Sequence, residues 1–217
     1  MTAPAALDAL RAGLASPGDV AELVERRPSQ GNGGRPAAVL ALLYGEDPDL
    51  RIVAIEKSGR LRNHAGQIAF PGGSIEPADP SPIAAALREA REEVGIVESS
   101  VEVLGTLPRA HISASGYDVS TVVGWWQRPA PLRPVDTHEV AAVHSLRVPE
   151  LVDPRNRLTW YLSATQHEGP AFDVDGLFVW GFTAYLIDWL LDLAGWSQPW
   201  DASRRVPVPH RFFRRVP

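Results

Sequence analysis

The segment from Ser81 to Gly95 (SPIAAALREAREEVG) constrains this chain more than any other, because it fixes a helix, both of its ends and the face it buries. Ser81 can accept a hydrogen bond from the free amides of the first turn, Pro82 suits the first helical position, and Gly95 suits the stop. At about 100° per residue, Ile83, Ala86, Leu87, Ala90 and Val94 share one arc, a stripe wide enough to face a core. Glu89, Glu92 and Glu93 fall on a different arc, because residues three and four apart are neighbours on a helix surface. Such a stripe needs a sheet or another helix to receive it.

Apolar runs on either side supply the partner. Ala37 to Tyr44 and Arg51 to Ile55 read as strands separated by the turn Gly45-Glu46-Asp47-Pro48, and a hairpin is their natural pairing. Residues 61–73 (LRNHAGQIAFPGG) read as a loop with a short apolar piece. Val101–Leu107 and Val119–Trp126 are further strands, the second rich in β-branched residues, and a proline-rich connection follows at 129–134. Residues 139–152 fit a strand or a short helix, and Trp160–Leu162 another strand. Gly181 to Leu193 is apolar nearly all round, with Asp188 and Asp192 stacked at i, i+4, and reads as a mostly buried helix. Near the start, Leu7, Leu10 and Leu14 and then Val20, Leu23 and Val24 suggest two short helices broken at Pro17-Gly18, with a loop over 28–36. The tail from Asp201 carries five arginines against one aspartate and reads as a solvated or dimer-contacting end. The strand and helix order fits an α/β/α sandwich.

Composition removes several classes of function. Without cysteine there is no disulfide framework, no thiolate metal site and no cysteine nucleophile. A net charge of −5 gives no overall nucleic-acid footprint. The longest apolar region, 176–196, is interrupted by Asp188 and Asp192, so no bilayer span is expected. Asp8 and Arg11 lie within the apolar N-terminal stretch, so no signal peptide is apparent and a cytoplasmic protein is expected. The length, 217 residues, fits one globular domain with extensions.

The carboxylates carry the chemistry. Glu89 and Glu93 repel across one helical turn, and both lie toward the helix end that the macrodipole makes unfavourable for anions. A solvated acidic face is the plain reading of such a cluster. Against it, three carboxylates share one face with a single basic neighbour, Arg88, and a glycine-proline loop with free carbonyls precedes them. Oxygen donors without sulfur or clustered histidine favour a hard cation, Mg²⁺ or Mn²⁺, and magnesium commonly bridges to a substrate phosphate.

These residues also form a motif. Gly73, Asp79 and the run Arg88-Glu89-Ala90-Arg91-Glu92-Glu93-Val94-Gly95-Ile96 resemble the Nudix box, Gx5Ex7REUxEExGU, where U is aliphatic. The box expects glutamate at Asp79, and eight residues rather than seven separate Asp79 from Arg88. Either the loop before the helix is one residue longer, or Asp79 is not the equivalent of the family's first glutamate. The preceding stretch, Leu61 to Gly73, resembles the signature LLTxRxxxLRxHxGxxxFPGG of the coenzyme A pyrophosphatase branch, which commonly carries the longer box. Val53-Ala54-Ile55-Glu56-Lys57 stands where that signature begins, with Ile55 in place of threonine and Lys57 in place of arginine. Ser115-Gly116-Tyr117 with 119–124, Glu139-Val140 and 180–184 are also similar, with Thr121 where proline is usual.

The resemblance implies a Nudix-type α/β/α sandwich with a mixed sheet over residues 36–196, between an N-terminal helical extension (1–35) and an arginine-rich tail (197–217). It implies a metal-dependent hydrolase that splits the pyrophosphate of coenzyme A or its acyl derivatives into 3′,5′-ADP and (acyl-)4′-phosphopantetheine. Another nucleoside diphosphate derivative, such as ADP-ribose or NADH, is the alternative substrate, and a non-catalytic binding module the alternative role. By the same resemblance, Glu89 and Glu93 are metal ligands, Glu92 is a further ligand or the base for the attacking water, and Gly73 offers its carbonyl to Mg²⁺ or Mn²⁺. Arg88 orients a glutamate by an ion pair. Lys57, Arg62, His64 and Gln67 are the candidates for substrate-phosphate contacts. The partner is then a small nucleotide, with no nucleic acid and no membrane, and a homodimer is compatible with the relatives.

Overall fold

The computed structural model describes residues 4–15, 33–113, 115–163 and 167–213. The second expected N-terminal helix falls in 16–32 and so lies outside the described residues. The first forms as α1, Asp8–Ala15.

The long apolar runs become strands whose two faces are both buried. In β1 (Arg35–Tyr44), Ala38, Leu40 and Leu42 enter one core while Ala41 and Leu43 enter another. The same alternation divides Val53 and Ile55 from Ile52 and Ala54 in β2 (Arg51–Lys57). A strand covered on both sides has no polar face to show, which is why these segments read as near-continuous apolar runs. On the first face lies α2 (Pro82–Val94), through Ala85, Ala86, Ala90 and Val94. On the second lie Leu7, in the single turn before α1, Leu10 of α1 itself, and the buried helix α4 (Gly181–Leu193), through Leu186, Ile187, Leu190 and Leu191. Helix, sheet and helix make the α/β/α sandwich.

The remaining strands of the main sheet are β3 (Ile68–Ala69), β4 (Gly72–Ser74), β5 (Val101–Thr106), β6 (Ala110–Ile112), β7 (Tyr117–Trp126) and β8 (Val140–Arg147). The sheet is mixed. β1 runs parallel to β7 along nearly its whole length, whereas β5 and β6 pair antiparallel with β7. The expected hairpin of β1 and β2 is paired at only two positions, Leu43 with Ile52 and Tyr44 with Arg51. Beyond that point the strands splay. β4 fills the gap beside β1, Ala38 opposite Gly73, and β3 fills it beside β2, Ile55 opposite Ala69. So the expected loop at 61–73 contains two short strands, wedged where a simple hairpin would have closed.

The ambiguous stretch 139–152 is both things it resembled: β8 followed by α3 (Val148–Val152), with Pro149 in the first turn of the helix. A second sheet holds β9 (Arg157–Leu162), β10 (His167–Val174), β11 (Leu177–Val179) and β12 (Arg205–Pro207). Of the two readings of the tail, solvated or dimer-contacting, β12 corrects the first. It lies parallel to β9, with Arg205 opposite Thr159, and Val208 and Phe212 join the apolar cluster of Leu158, Trp160 and Phe178. Arg157 is almost fully buried beneath it, ion-paired with Asp188 and flanked by the rings of Phe172 and Trp200. Among the described residues no helix is long and apolar enough to cross a membrane.

Candidate active site

α2 delivers its acidic residues because its ends are fixed. Ser81 Oγ accepts from the Ala84 amide at 3.2 Å, and Gly95 closes the helix at φ 77°, a left-handed geometry that suits glycine. The C-terminal half of the helix then lies against Gly72 and Gly73 of β4. A Cβ on Gly73 would stand 2.6 Å from Glu89 Oε1, so the absence of a side chain there is what admits the carboxylate.

Glu93 is 2% exposed. Its Oε1 accepts from Lys57 Nζ at 2.9 Å and its Oε2 from the Gly72 amide at 2.8 Å. Burial pushes its pKa up, the ammonium of Lys57 and the amide hold it down, and the nearby charge of Glu139 pushes it up again; the net direction is upward. Glu89 is also raised, first by burial, with Arg88 opposing and the charges of Glu93 and Glu92 adding to the rise. Glu92 lies toward solvent, between Arg88 Nη1 and Arg91 Nη2 at 3.1 Å each.

Arg88 is the hub. Its Nε and Nη2 meet the two oxygens of Asp79 at 3.0 Å each, Nη2 also donates to the Ser74 carbonyl at 3.1 Å, and Nη1 lies 3.1 Å from Glu89. The guanidinium and the Glu76 amide hold the Asp79 carboxyl below the usual range. Asp79 thus reaches Arg88 across the eight residues that separate them. The arginine ties residues 74–79 to the helix that bears the carboxylates.

The structure brings Glu89, Glu93 and Gly73 together and sets Glu92 at the exposed rim. The carboxylates do not have the single basic neighbour expected from the helix alone, because Lys57 and Arg91 join Arg88 around them. Among the described residues no three acidic or histidine side chains form a ready metal cluster. The donors still fit a divalent cation: all are oxygens, and Glu89 is half-buried with like charges beside it, a state that a cation relieves.

Lys57 departs from its expected place. It binds Glu93, while Arg62, His64 and Gln67 line a cleft of about 650 Å³. His64 adopts φ 61°, and its Nδ1 is 2.9 Å from Gln67 Oε1, so these two organise one loop. The Gln67 carbonyl accepts from the Lys57 amide at 2.9 Å, which ties that loop to the end of β2. Glu139 was not among the expected residues, nor were Arg35, Tyr117 and Phe213 of the cleft. Glu139 and Tyr117 lie in segments already noted as similar to the coenzyme A branch, whereas no local spacing connects Arg35 or Phe213 to the site.

Comparison with known proteins places this geometry. The family model of the NUDIX domain matches residues 34–165. The uncharacterized Nudix hydrolase NudL of Escherichia coli K12 is 40% identical over 155 residues, which cover 70% of this chain and 79% of that protein. NudL of Shigella boydii serotype 18 matches to the same extent. The crystal structure of the Nudix hydrolase RenU from M. smegmatis superposes with a TM-score of 0.53 at 17% identity, covering 76% of this chain and 88% of that one, and so shares the fold.

Proposed function

The chain belongs to the Nudix hydrolase family, and from that premise we propose that its substrate is coenzyme A or an acyl derivative, cleaved at the pyrophosphate to 3′,5′-ADP and (acyl-)4′-phosphopantetheine. It is a pyrophosphohydrolase of nucleoside diphosphate derivatives. The observation that carries the finer reading is the cleft: Arg62, His64 and Gln67 of the coenzyme A-type signature line one cavity, and two strands connect their loop to Gly73 at the carboxylates.

In this reading Glu89, Glu93 and the Gly73 carbonyl would hold Mg²⁺ or Mn²⁺, with Glu92 either a further ligand or the base for the attacking water. A divalent cation held there would supply neutralisation of phosphoryl oxygens and a more acidic water. The protein's own residues prepare the geometry. Lys57 and the Gly72 amide fix Glu93 in one orientation, so that no side-chain reorganisation is needed at the reacting phosphorus. Arg88 holds the loop and Glu89 in register and acts as a positioning residue. As the base, Glu92, exposed and paired with Arg88 and Arg91, would exchange those partners and take a proton from the attacking water. Arg62, His64 and Gln67 contact substrate phosphates from the cleft side.

One observation favours a second reading, ADP-ribose or NADH. Lys57 replaces the signature arginine and is engaged by Glu93, so it offers no two-pronged grip on a phosphate. A substrate panel of coenzyme A, acetyl-coenzyme A, ADP-ribose and NADH, with Mg²⁺ or Mn²⁺ and product chromatography, separates the two. Coenzyme A and its acetyl ester are expected to give the highest kcat/KM. Cleavage of ADP-ribose or NADH without turnover of coenzyme A refutes the finer assignment.

A further inference from the structure

The cleft has walls that the box and the signature do not account for. One comes from the start of β1 and the turn before β7, the other from the C-terminal tail, which lies beyond the matched NUDIX domain. We propose that this cleft holds the phosphorylated nucleoside end of the substrate, with the base on Phe213 and the ribose phosphate between Arg35 and Arg62. The tail is thus a specificity element. The proposal rests on the reading that the substrate is a nucleoside diphosphate derivative, and it adds which end of that substrate enters here.

Charge is the first argument. Among the described residues the lining includes Arg35 and Arg62 and no carboxylate, on a chain whose net charge is −5. Among the described residues Arg62 makes no hydrogen bond or ion pair. Arg35 lies 4.2 Å from the centroid of Tyr117 and donates to the Ser115 carbonyl at 3.1 Å. The ring contact and the Ser115 carbonyl hold the guanidinium in place and leave its other donors for a planar or tetrahedral anion.

The aromatic surface is the second. Phe213 is 50% exposed, so part of its ring is open to a ligand in the cleft. It is held there. Phe212 packs on Phe178 and Trp180, with centroids 6.4 and 5.7 Å away, Phe213 itself meets Trp180 at 6.3 Å, and β12 anchors the segment against β9. A preorganised ring beside two guanidiniums suits a base that stacks and a phosphate that pairs. An uncharged amide arm, the other end of a coenzyme A-like molecule, has neither a π face nor an anion to use them. The volume lies within the range of small-molecule sites.

The test is calorimetry on the full chain in chelator, where no turnover occurs. The probes are adenosine 3′,5′-bisphosphate, adenosine 5′-monophosphate and 4′-phosphopantetheine. The bisphosphate should bind about tenfold tighter than the monophosphate, as expected for an added charge-assisted phosphate contact. Arg35→Gln and Arg62→Gln should each remove most of that difference. Phe213→Leu, which keeps apolar packing without a π face, should weaken both nucleotides about equally, by about tenfold for a stacked base. Phosphopantetheine binding as tightly as the bisphosphate, or unchanged nucleotide binding in the three variants, overturns the proposal. The companion assay is hydrolysis of coenzyme A and 3′-dephospho-coenzyme A. If coenzyme A is cleaved while the variants bind nucleotides like the parent, the cleft assignment fails and the reaction stands. If the bisphosphate binds as described while no dinucleotide is cleaved, the reaction assignment fails and the cleft stands.

Discussion

Replacing Lys57 with methionine tests the electrostatics at the centre of the site. The ammonium and the Glu93 carboxylate are 2.9 Å apart, with side-chain exposures of 16% and 3%. At an effective dielectric of about 20, the attraction at that separation is about 6 kcal/mol, an upper bound before desolvation is subtracted. Removing one partner of a buried pair typically costs about 3–5 kcal/mol, because the remaining charge is left uncompensated. The lower end, about 3 kcal/mol, applies here, because the Gly72 amide still donates to Glu93. For a domain of this size that is a fall in Tm of roughly 6–12 °C. The loss should depend on pH with a definite sign. The folded-state pKa of Glu93 already lies above the ordinary carboxyl value of 4.5, and loss of the lysine raises it further. A raised carboxyl contributes stability that is fully present below pH 4.5 and is lost as pH rises through the folded value. The variant should therefore approach the parent near pH 4.5 and fall furthest below it at pH 7 to 8. Thermal unfolding in chelator across that range is the assay. A Tm difference that is absent at pH 8, or equally large at both ends, would refute the account of Glu93 as a buried anion held by Lys57.

Further predictions concern Glu89 and Thr121. Glu89→Gln should abolish metal-dependent turnover and also remove the thermal stabilisation given by Mn²⁺ in the parent. In chelator the same variant should be more stable than the parent at pH 8 and indistinguishable below pH 4.5, because burial raises the Glu89 carboxyl; a loss of Tm at pH 8 contradicts this. Among the described residues the buried Thr121 hydroxyl has no hydrogen-bond partner, so Thr121→Val should raise stability by about 1 kcal/mol, read from denaturant midpoints at constant slope.

What the sequence made legible followed from how far apart the interacting residues lie along the chain. α2 was readable to its ends because Ser81, Pro82 and Gly95 act within one or two turns. β1, β2 and β7 were readable because both faces are buried, so each strand is apolar throughout. The acidic cluster and its arginine were visible as helix neighbours, but the partner of Glu93 is Lys57, 36 residues away on another strand. β3 and β4 are two and three residues long and exist only because β1 and β2 splay, so neither has a period to detect. β12 contains Arg205, Val206 and Pro207, a charged and proline-bearing run that is a strand only because β9 offers it an edge. Stretch 139–152 resisted assignment because it changes from strand to helix at Val148, where Pro149 ends the ladder.

The wedge between β1 and β2 has a dynamic consequence. The Leu40 amide is bonded to the Pro71 carbonyl, and Ala38 and Val39 face Gly73 and Gly72, whose own amide grips Glu93. Deuterium uptake at Leu40 thus requires an opening fluctuation that loosens the same short ladder anchoring the acidic centre. Its exchange rate becomes a spectator-free gauge of how tightly the catalytic end is clamped, readable without substrate and without any change to the residues that do the chemistry.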